Sequence, residues 1–187
     1  MATVHVFQDE CPAITAGGVA ENDMMLVWDT SAQITKSCTP RDMATAGTGA
    51  VNTTATVVAI TAAAHAGKTV TLSTAAAFVV TLPQATGTGN KYRFQFQVAA
   101  TGTTSSITVA NATDIMQGMV CVATTSSNNV IAYIATATDD TMKFNGTTMG
   151  GVKGDWYEVT DVKTGFFQVI GFSAATGTTV TPFLANV

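Results

Sequence analysis

The stretch KYRFQFQV, residues 91–98, alternates polar and apolar side chains without a break. A period of two predicts a β-strand with one face in a core and the other in water. Tyr92, Phe94, Phe96 and Val98 would then share the buried face. Short runs of similar character occur elsewhere in the chain, at TATVVAI, KTVTLST, AFVVTL, SSITVA, GMVCVA, VIAYIA, TMKF, DWYEVT and FFQVIGF.

Turn-forming stretches such as PQATGTGN and TSSNN separate these runs, and no helical period is visible between them. About ten short strands at this spacing are typical of an all-β domain. We therefore predict an all-β fold, an antiparallel β-sandwich or jelly-roll-like domain, over residues 47–187. Branched Thr and Val dominate the strands, as a pleated surface favours.

Residues 1–46 differ from the rest and are predicted to form an extended N-terminal arm. They are comparatively acidic and contain the apolar cluster DMMLVWD. Thr39 and Pro40 favour a helical start of one or two turns. The stretch TAGTGAVNTT, residues 45–54, predicts a flexible connector to the β domain.

The chain carries little charge, and this bears on whether its surface is exposed to water or covered by other subunits. Only 11% of the residues are charged, whereas 47% are hydrophobic. Dispersed charges keep protein surfaces apart in solution, so a lone monomer of this composition would tend to precipitate. The composition favours a protein whose exterior is partly covered by other subunits. An ordinary β domain with a threonine-rich surface remains the alternative.

The same composition argues against two classes of partner. The net charge is −4, with eight Lys and Arg residues scattered along the chain, which would neutralise few phosphates, so we expect no direct nucleic-acid binding. No apolar run approaches the roughly 20 residues of a membrane helix, and the start of the chain does not resemble a secretion signal. We therefore expect no membrane partner and synthesis in a cytoplasm.

Residues 62–69, AAAHAGKT, match the loose form of a nucleotide-binding loop. Such loops hold phosphate because their amides converge at the start of a helix. Here Gly67, Lys68 and Thr69 lead into VTLST, which alternates like a strand. The stretch is interpreted as a turn that opens a β-strand.

A second glycine cluster, NGTTMGGVKGDW, begins at Asn145. Asn145–Gly146 predicts a two-residue hairpin turn, since both residue types tolerate a positive φ. Lys153-Gly154-Asp155 resembles a cell-adhesion tripeptide, but three residues in a turn are weak support for adhesion.

Titratable residues are too few and too scattered to predict a catalytic centre, so we expect no enzyme activity and no cofactor. His65 is interpreted as a turn residue. Asp139 and Asp140 lie at a turn, where carboxylates commonly accept hydrogen bonds from nearby amides. This stretch lacks the oxygen-rich loop that a calcium site needs, and we expect no metal site.

The cysteines, Cys11, Cys38 and Cys121, are far apart and show no metal-ligand spacing. They are interpreted as reduced thiols, with a disulfide between subunits as the alternative. The aromatic residues are assigned mainly to core packing, because a sugar-binding platform would need two or three of them on one wet face.

Three segments resemble a group of small virion proteins of tailed bacteriophages. They are HAGKTVTLSTAAAFVVTLPQATGTGNKYRFQFQV, ITVANATDIMQGMV and FNGTTMGGVKGDWYEV, and the resemblance covers roughly residues 60–185. Proteins of this group look like capsid decoration (cement) proteins or head fibres. The resemblance implies a structural protein on the outer surface of the capsid, with the major capsid protein as partner, commonly as a homotrimer.

For such a protein the apolar cluster of the arm is a candidate anchor. We predict that it is buried against the capsid or a sister subunit, since Met adapts to irregular grooves and Trp is frequent at binding hot spots. The alternative is that this cluster is a strand of the domain's own core. The alternative function is a head or tail fibre that binds a host receptor or glycan. The candidate interface residues are Met24, Met25, Leu26, Val27 and Trp28.

Overall fold

The computed structural model of the chain describes residues 25–29, 34–38, 49–102, 104–125 and 127–186. The chain divides into two compact units, residues 1–47 and 48–187. In the first unit the backbone of two antiparallel strands is described, β1 (Met25–Asp29) and β2 (Ile34–Cys38). The predicted helical start at Thr39 and Pro40 lies outside the described residues, and the role of residues 1–46 as an arm stays a prediction.

The second unit contains two mixed β-sheets packed together, which confirms the predicted all-β sandwich. In spatial order, the seven-stranded sheet consists of β10 (Val130–Ile134), β9 (Ile115–Thr124), β13 (Phe166–Ala175), β12 (Trp156–Lys163), β7 (Lys91–Phe96), β5 (Thr69–Leu72) and β3 (Ala50–Thr53). The five-stranded sheet consists of β14 (Phe183–Leu184), β11 (Thr141–Phe144), β8 (Ser105–Thr108), β6 (Val79–Thr81) and β4 (Val57–Ala59). A single helical turn, α1 (Ala62–His65), precedes β5.

From β3 to β8 the chain crosses from one sheet to the other after every strand. Consecutive strands within each sheet are therefore parallel, β3–β5–β7 in the larger and β4–β6–β8 in the smaller. These six strands form three turns of a flattened coil. Alternation along a strand shows which face is wet and not the direction of its neighbour, so the antiparallel pairing expected from the sequence does not extend to these six strands.

The rest of the unit is mostly antiparallel. Strand β10 pairs with β9, β12 pairs with both β13 and β7, and β11 pairs with both β8 and β14. One long parallel pair, β9 with β13, joins these strands into the larger sheet. Each of the ten runs predicted from alternation overlaps a strand of the structure.

The core lies between the two sheets, and Phe96 is at its centre. Its ring centroid is 5.1 Å from that of Phe144, 5.8 Å from that of Phe78 and 5.9 Å from that of Tyr157. Tyr92 and Phe94 are also buried, as the alternation predicts. These aromatic side chains supply much of the apolar area that the fold removes from water.

Two details of the predicted strand pattern are wrong. Strand β7 ends at Phe96 and the chain bends, so Val98 is 37% exposed and does not extend the buried face. The connector predicted as flexible contains β3, which pairs with β5. Within it, the Asn52 side-chain oxygen accepts hydrogen bonds from Thr71 Oγ1 (2.9 Å) and Ser73 Oγ (2.5 Å).

Candidate functional site

The loop that resembles a nucleotide-binding motif opens a strand, as predicted. Helix α1 ends at His65, before the glycine and lysine of the motif, and Thr61 caps its first turn by accepting a hydrogen bond from Ala64 N–H (3.3 Å). Gly67 adopts a φ of 73°, and β5 begins at Thr69. No helix starts where a phosphate would need converging amides.

The second glycine cluster forms a loop that connects a strand of one sheet to a strand of the other, and it does not form a hairpin. Strand β11 before it belongs to the smaller sheet, whereas β12 after it belongs to the larger one. The predicted two-residue turn at Asn145–Gly146 is therefore wrong. The Asn145 side-chain oxygen instead accepts hydrogen bonds from the N–H groups of Thr147 (3.0 Å) and Met149 (2.9 Å), which curls the loop locally.

Asp155 ends this loop and fastens it to β13. Its Oδ2 accepts hydrogen bonds from the N–H groups of Gly151 (2.8 Å) and Val152 (2.9 Å) and from Ser173 Oγ (2.5 Å). Its Oδ1 accepts one from Ala174 N–H (2.9 Å). The carboxylate is buried, so it is not presented as part of an adhesion tripeptide.

Two pKa shifts follow from this burial. Burial raises the pKa of Asp155, although the hydrogen bonds from Ser173 and the loop amides oppose the shift. Burial also raises the pKa of the Tyr157 hydroxyl, and the neighbouring Asp155 carboxylate adds to that shift. The Tyr157 hydroxyl donates a 2.8 Å hydrogen bond to Ser173 Oγ, so the three side chains form a buried chain of hydrogen bonds.

Asp161 plays the same part for the loop before β7. Its carboxylate accepts hydrogen bonds from the N–H groups of Thr86 (3.1 Å), Gly87 (2.7 Å) and Thr88 (3.1 Å) and from Thr88 Oγ1 (2.7 Å). Burial alone would raise its pKa, but these hydrogen bonds together outweigh burial and lower the pKa. A carboxylate surrounded by donors in this way is stable in its charged form.

Three further buried aspartates also bond to loop backbone. Asp114 accepts from Ala85 N–H (2.8 Å), Asp139 from Thr136 N–H (2.6 Å), and Asp140 from Asn186 N–H (2.9 Å). The bond to Asp139 agrees with the turn role predicted for the Asp139–Asp140 pair. The buried acids of this unit thus fix the geometry of its loops.

The feature that the sequence analysis missed lies on the outer face of the seven-stranded sheet. Five large apolar side chains point away from the core there, each between 44% and 70% exposed. We call them the outer patch: Met119, Val130, Ile134, Ile170 and Phe172. They lie on the adjacent strands β10, β9 and β13, and register places Ile134, Met119 and Ile170 in one row across the sheet.

An aromatic pair borders the outer patch. The Phe172 ring centroid lies 5.2 Å from that of Trp156, its partner on β12. The Arg93 guanidinium carbon lies 4.4 Å from the Trp156 ring centroid, a cation–π contact. Beyond Trp156 the face becomes polar, and a Lys91–Glu158 ion pair of 3.2 Å spans β7 and β12. Trp, Arg and Met are enriched at protein interfaces.

The sequence carries a signal for the outer patch in strands that are apolar on both faces. In VIAYIA both sets of alternate positions are apolar, and in FFQVIGF they are apolar except for Gln168. A strand that is apolar on both faces is covered on both faces or leaves one apolar face exposed. The assignment of the aromatic residues mainly to core packing therefore leaves out Phe172, which is about half exposed.

A shallow concavity of about 340 Å³ adjoins the outer patch at the start of β13. Its lining contains no titratable side chain and consists of Gln117, Gly118, Val162, Phe166 and Gln168. Within the described ranges, no group of three or more His, Cys, Asp or Glu residues is placed to hold a metal ion. No helix in the same ranges is long and apolar enough to cross a membrane.

The interface residues predicted from the sequence lie in or beside β1. Met24 is outside the described residues, and for Met25, Leu26, Val27 and Trp28 the backbone alone is described. Strand β1 pairs with β2 in a sheet of two strands, separate from the two sheets of the sandwich. Their role as an anchor stays a prediction.

Comparison of the chain with protein-family profiles, with curated proteins and with solved structures found no match.

Proposed function

We propose that the protein is a structural virion protein that decorates the outside of an assembled phage head and stabilises it. The proposal starts from the three segments that resemble phage decoration proteins. The observation that carries it is the outer patch, an exposed apolar surface on a domain whose loops are fastened by buried aspartates. In this proposal the patch lies against the shell, and the major capsid protein is its partner.

The mechanism is binding without chemistry. A protein that binds only the assembled shell stabilises it by mass action, by an amount that grows with its concentration. The outer patch consists of five side chains on three adjacent strands, which is small for a specific interface. One copy would therefore bind weakly, and joining copies into a homotrimer raises the effective affinity.

The arm fits this proposal as a second attachment. The cluster Met24–Trp28 would bind a groove of the capsid or of a sister subunit while the sandwich covers the surface. Deleting residues 1–46 should then weaken binding to empty heads, and undiminished binding would remove the anchor from the proposal.

The alternative is a head or tail fibre that binds a host receptor or glycan. The pair of Trp156 and Phe172 favours it, because two adjacent aromatic rings on a wet face can stack on a sugar. Gln95 lies beside Trp156 in the register of the sheet and would add a hydrogen-bonding side chain. The apolar neighbours Met119 and Ile170 fit a protein surface better than a sugar, so decoration is preferred.

One experiment separates the two functions. The purified protein is mixed either with empty expanded heads of the encoding phage or with host cells, and each mixture is sedimented. Decoration predicts that the protein pellets with heads and raises the temperature at which they break, and that it stays in solution with cells. Pelleting with cells alone would establish the fibre function instead.

A further inference from the structure

Strand β10 forms one edge of the seven-stranded sheet. Within the described residues it pairs with β9 on one side, and no strand pairs with its other side. An open edge presents unpaired N–H and C=O groups, which are a template for another strand.

The hydrogen bonds that flank β10 show which residues face the open side. Ala135 N–H donates to Gly118 O (3.0 Å), and Thr124 N–H donates to Asn129 O (2.8 Å). In an antiparallel pair only alternate residues bond to the partner strand. Odd-numbered residues from 129 to 135 therefore bond to β9, and the backbone groups of Val130, Ala132 and Ile134 point outward.

The edge lacks the usual protection. Its residues, VIAYI, include no charged residue, no proline and no glycine, and its pairing with β9 runs without a register shift. Natural edge strands commonly carry Lys, Pro or a bulge that prevents pairing. Val130 and Ile134 are 67% and 70% exposed, so an unprotected apolar edge is presented to solvent.

We propose that β10 pairs with β10 of a second copy of this chain, antiparallel and related by a two-fold axis at Ala132. Ala132 then faces Ala132 of the second copy, and Val130 faces its Ile134. All three residues that point outward find a partner, and each facing pair exchanges two hydrogen bonds. The seven-stranded sheets of the two copies become one continuous sheet.

The occupant is a second copy because the edge is complementary to itself. Under the two-fold axis each branched apolar side chain meets another, and the small Ala132 methyl groups meet at the centre. No charge on β10 opposes a like charge or selects a charged partner. The outer patch of one copy also continues into that of the other, because Val130 and Ile134 belong to both the edge and the patch.

The biological role of this pairing rests on the proposed function. Two copies joined at β10 present twice the apolar surface to the shell, and on a shell covered by trimers a two-fold contact joins one trimer to the next. The pairing itself concerns the isolated protein and is tested without heads.

The test uses sedimentation velocity of the full-length protein across a concentration series. The wild type should form dimers or, where it is trimeric, linked trimers, and the associated fraction should rise with concentration. Ala132→Lys and Ala132→Glu, each alone, place like charges at the axis and should weaken association by about tenfold or more. An equal mixture of the two variants should associate again, because Lys then faces Glu.

The mixture also controls for a folding defect, because two misfolded variants would not regain association when they are mixed. Ala132→Ser, which keeps the backbone N–H and adds no charge, is the matched control and should associate like the wild type. Failure of the mixture to associate would overturn the pairing, as would a wild type that stays monomeric. A trimer whose association is the same in all three variants would also overturn the pairing but would not contradict decoration. Copies that pair through β10 but do not bind heads would contradict decoration and support the pairing.

Discussion

Ser173 Oγ donates a 2.5 Å hydrogen bond to Asp155 Oδ2 and accepts one of 2.8 Å from the Tyr157 hydroxyl. This serine on β13 thus joins the end of the glycine-rich loop to the core. A buried hydroxyl or carboxylate that loses such a partner is costly, so the loop and the sheet depend on each other.

Ser173→Ala tests this dependence. The change should lower the free energy of unfolding by about 1–3 kcal/mol, because the Tyr157 hydroxyl loses its acceptor and Asp155 loses a donor. Tyr157→Phe combined with Ser173→Ala should cost less than the sum of the two single changes, since it removes the unsatisfied hydroxyl. Urea unfolding of the four proteins measures the coupling, and strictly additive costs would show that the chain of hydrogen bonds is not a unit.

The pH dependence should reveal the carboxylate of Asp161. Hydrogen bonds hold its folded pKa below the ordinary value of 3.8. The stability it contributes is therefore fully present above pH 3.8 and is lost as the pH falls through the folded pKa. Asp161→Asn should lose less stability than the wild type between about pH 4 and pH 2.

Thr88→Val provides the control for this assignment. It removes one of the donors to Asp161 while keeping a branched side chain, so the pKa of Asp161 should rise. Carbon NMR titration of the carboxyl group reads that pKa directly. An unchanged pKa would mean that the backbone amides alone hold the carboxylate in its charged form.

Two glycines with similar positive φ angles should respond differently to alanine. Gly146 and Gly177 have φ of 67° and 78°, but a Cβ on Gly146 would lie 2.0 Å from Ala100 O, whereas one on Gly177 would meet nothing within 4 Å. Gly177→Ala should cost about 1–2 kcal/mol from the left-handed conformation alone. Gly146→Ala should cost more, by at least about 1 kcal/mol, because the backbone of Ala100 must move.

Thermal unfolding of both variants gives the comparison. Equal losses would mean that the loop at Gly146 relaxes freely, which would contradict the close approach of its backbone to Ala100.

Cys121 reports on whether the outer face is covered. It lies opposite Phe172 in the register of β9 and β13, and its side chain is partly exposed. In a Cys11→Ser, Cys38→Ser background, the remaining thiol should react readily with a thiol reagent in free protein. Its rate should fall severalfold on heads, because apolar contact excludes the reagent. Equal rates with and without heads would show that this face stays open.

The parts of the fold that a single strand determines were predictable from the sequence. Alternation in KYRFQFQV places Tyr92, Phe94 and Phe96 in the core, where they lie. The pairing of strands was not predictable, because a buried Val70 fits a strand with a parallel neighbour as well as one with an antiparallel neighbour. The coil from β3 to β8 depends on contacts between residues far apart in the chain, such as Thr69 with Arg93.

The candidate site was harder to predict for a related reason. Ile170 and Phe172 alternate with Val169 and Gly171, so that both faces of β13 look suitable for a core. Only the position of β13 in the sheet decides which face is wet. The roles of the aspartates were partly predictable, since Asp139 bonds locally to Thr136, whereas Asp161 bonds to amides more than 70 positions earlier in the chain.

Co-sedimentation with empty heads measures whether the outer patch binds the shell. Met119→Ser and Phe172→Ser alter the patch, and Val57→Ser is the matched control, because Val57 is 74% exposed on a strand of the other sheet. The two patch variants should pellet with heads about tenfold more weakly than the wild type, whereas Val57→Ser should pellet like the wild type. Equal pelleting of all four proteins, or pelleting of none, would contradict binding through the patch.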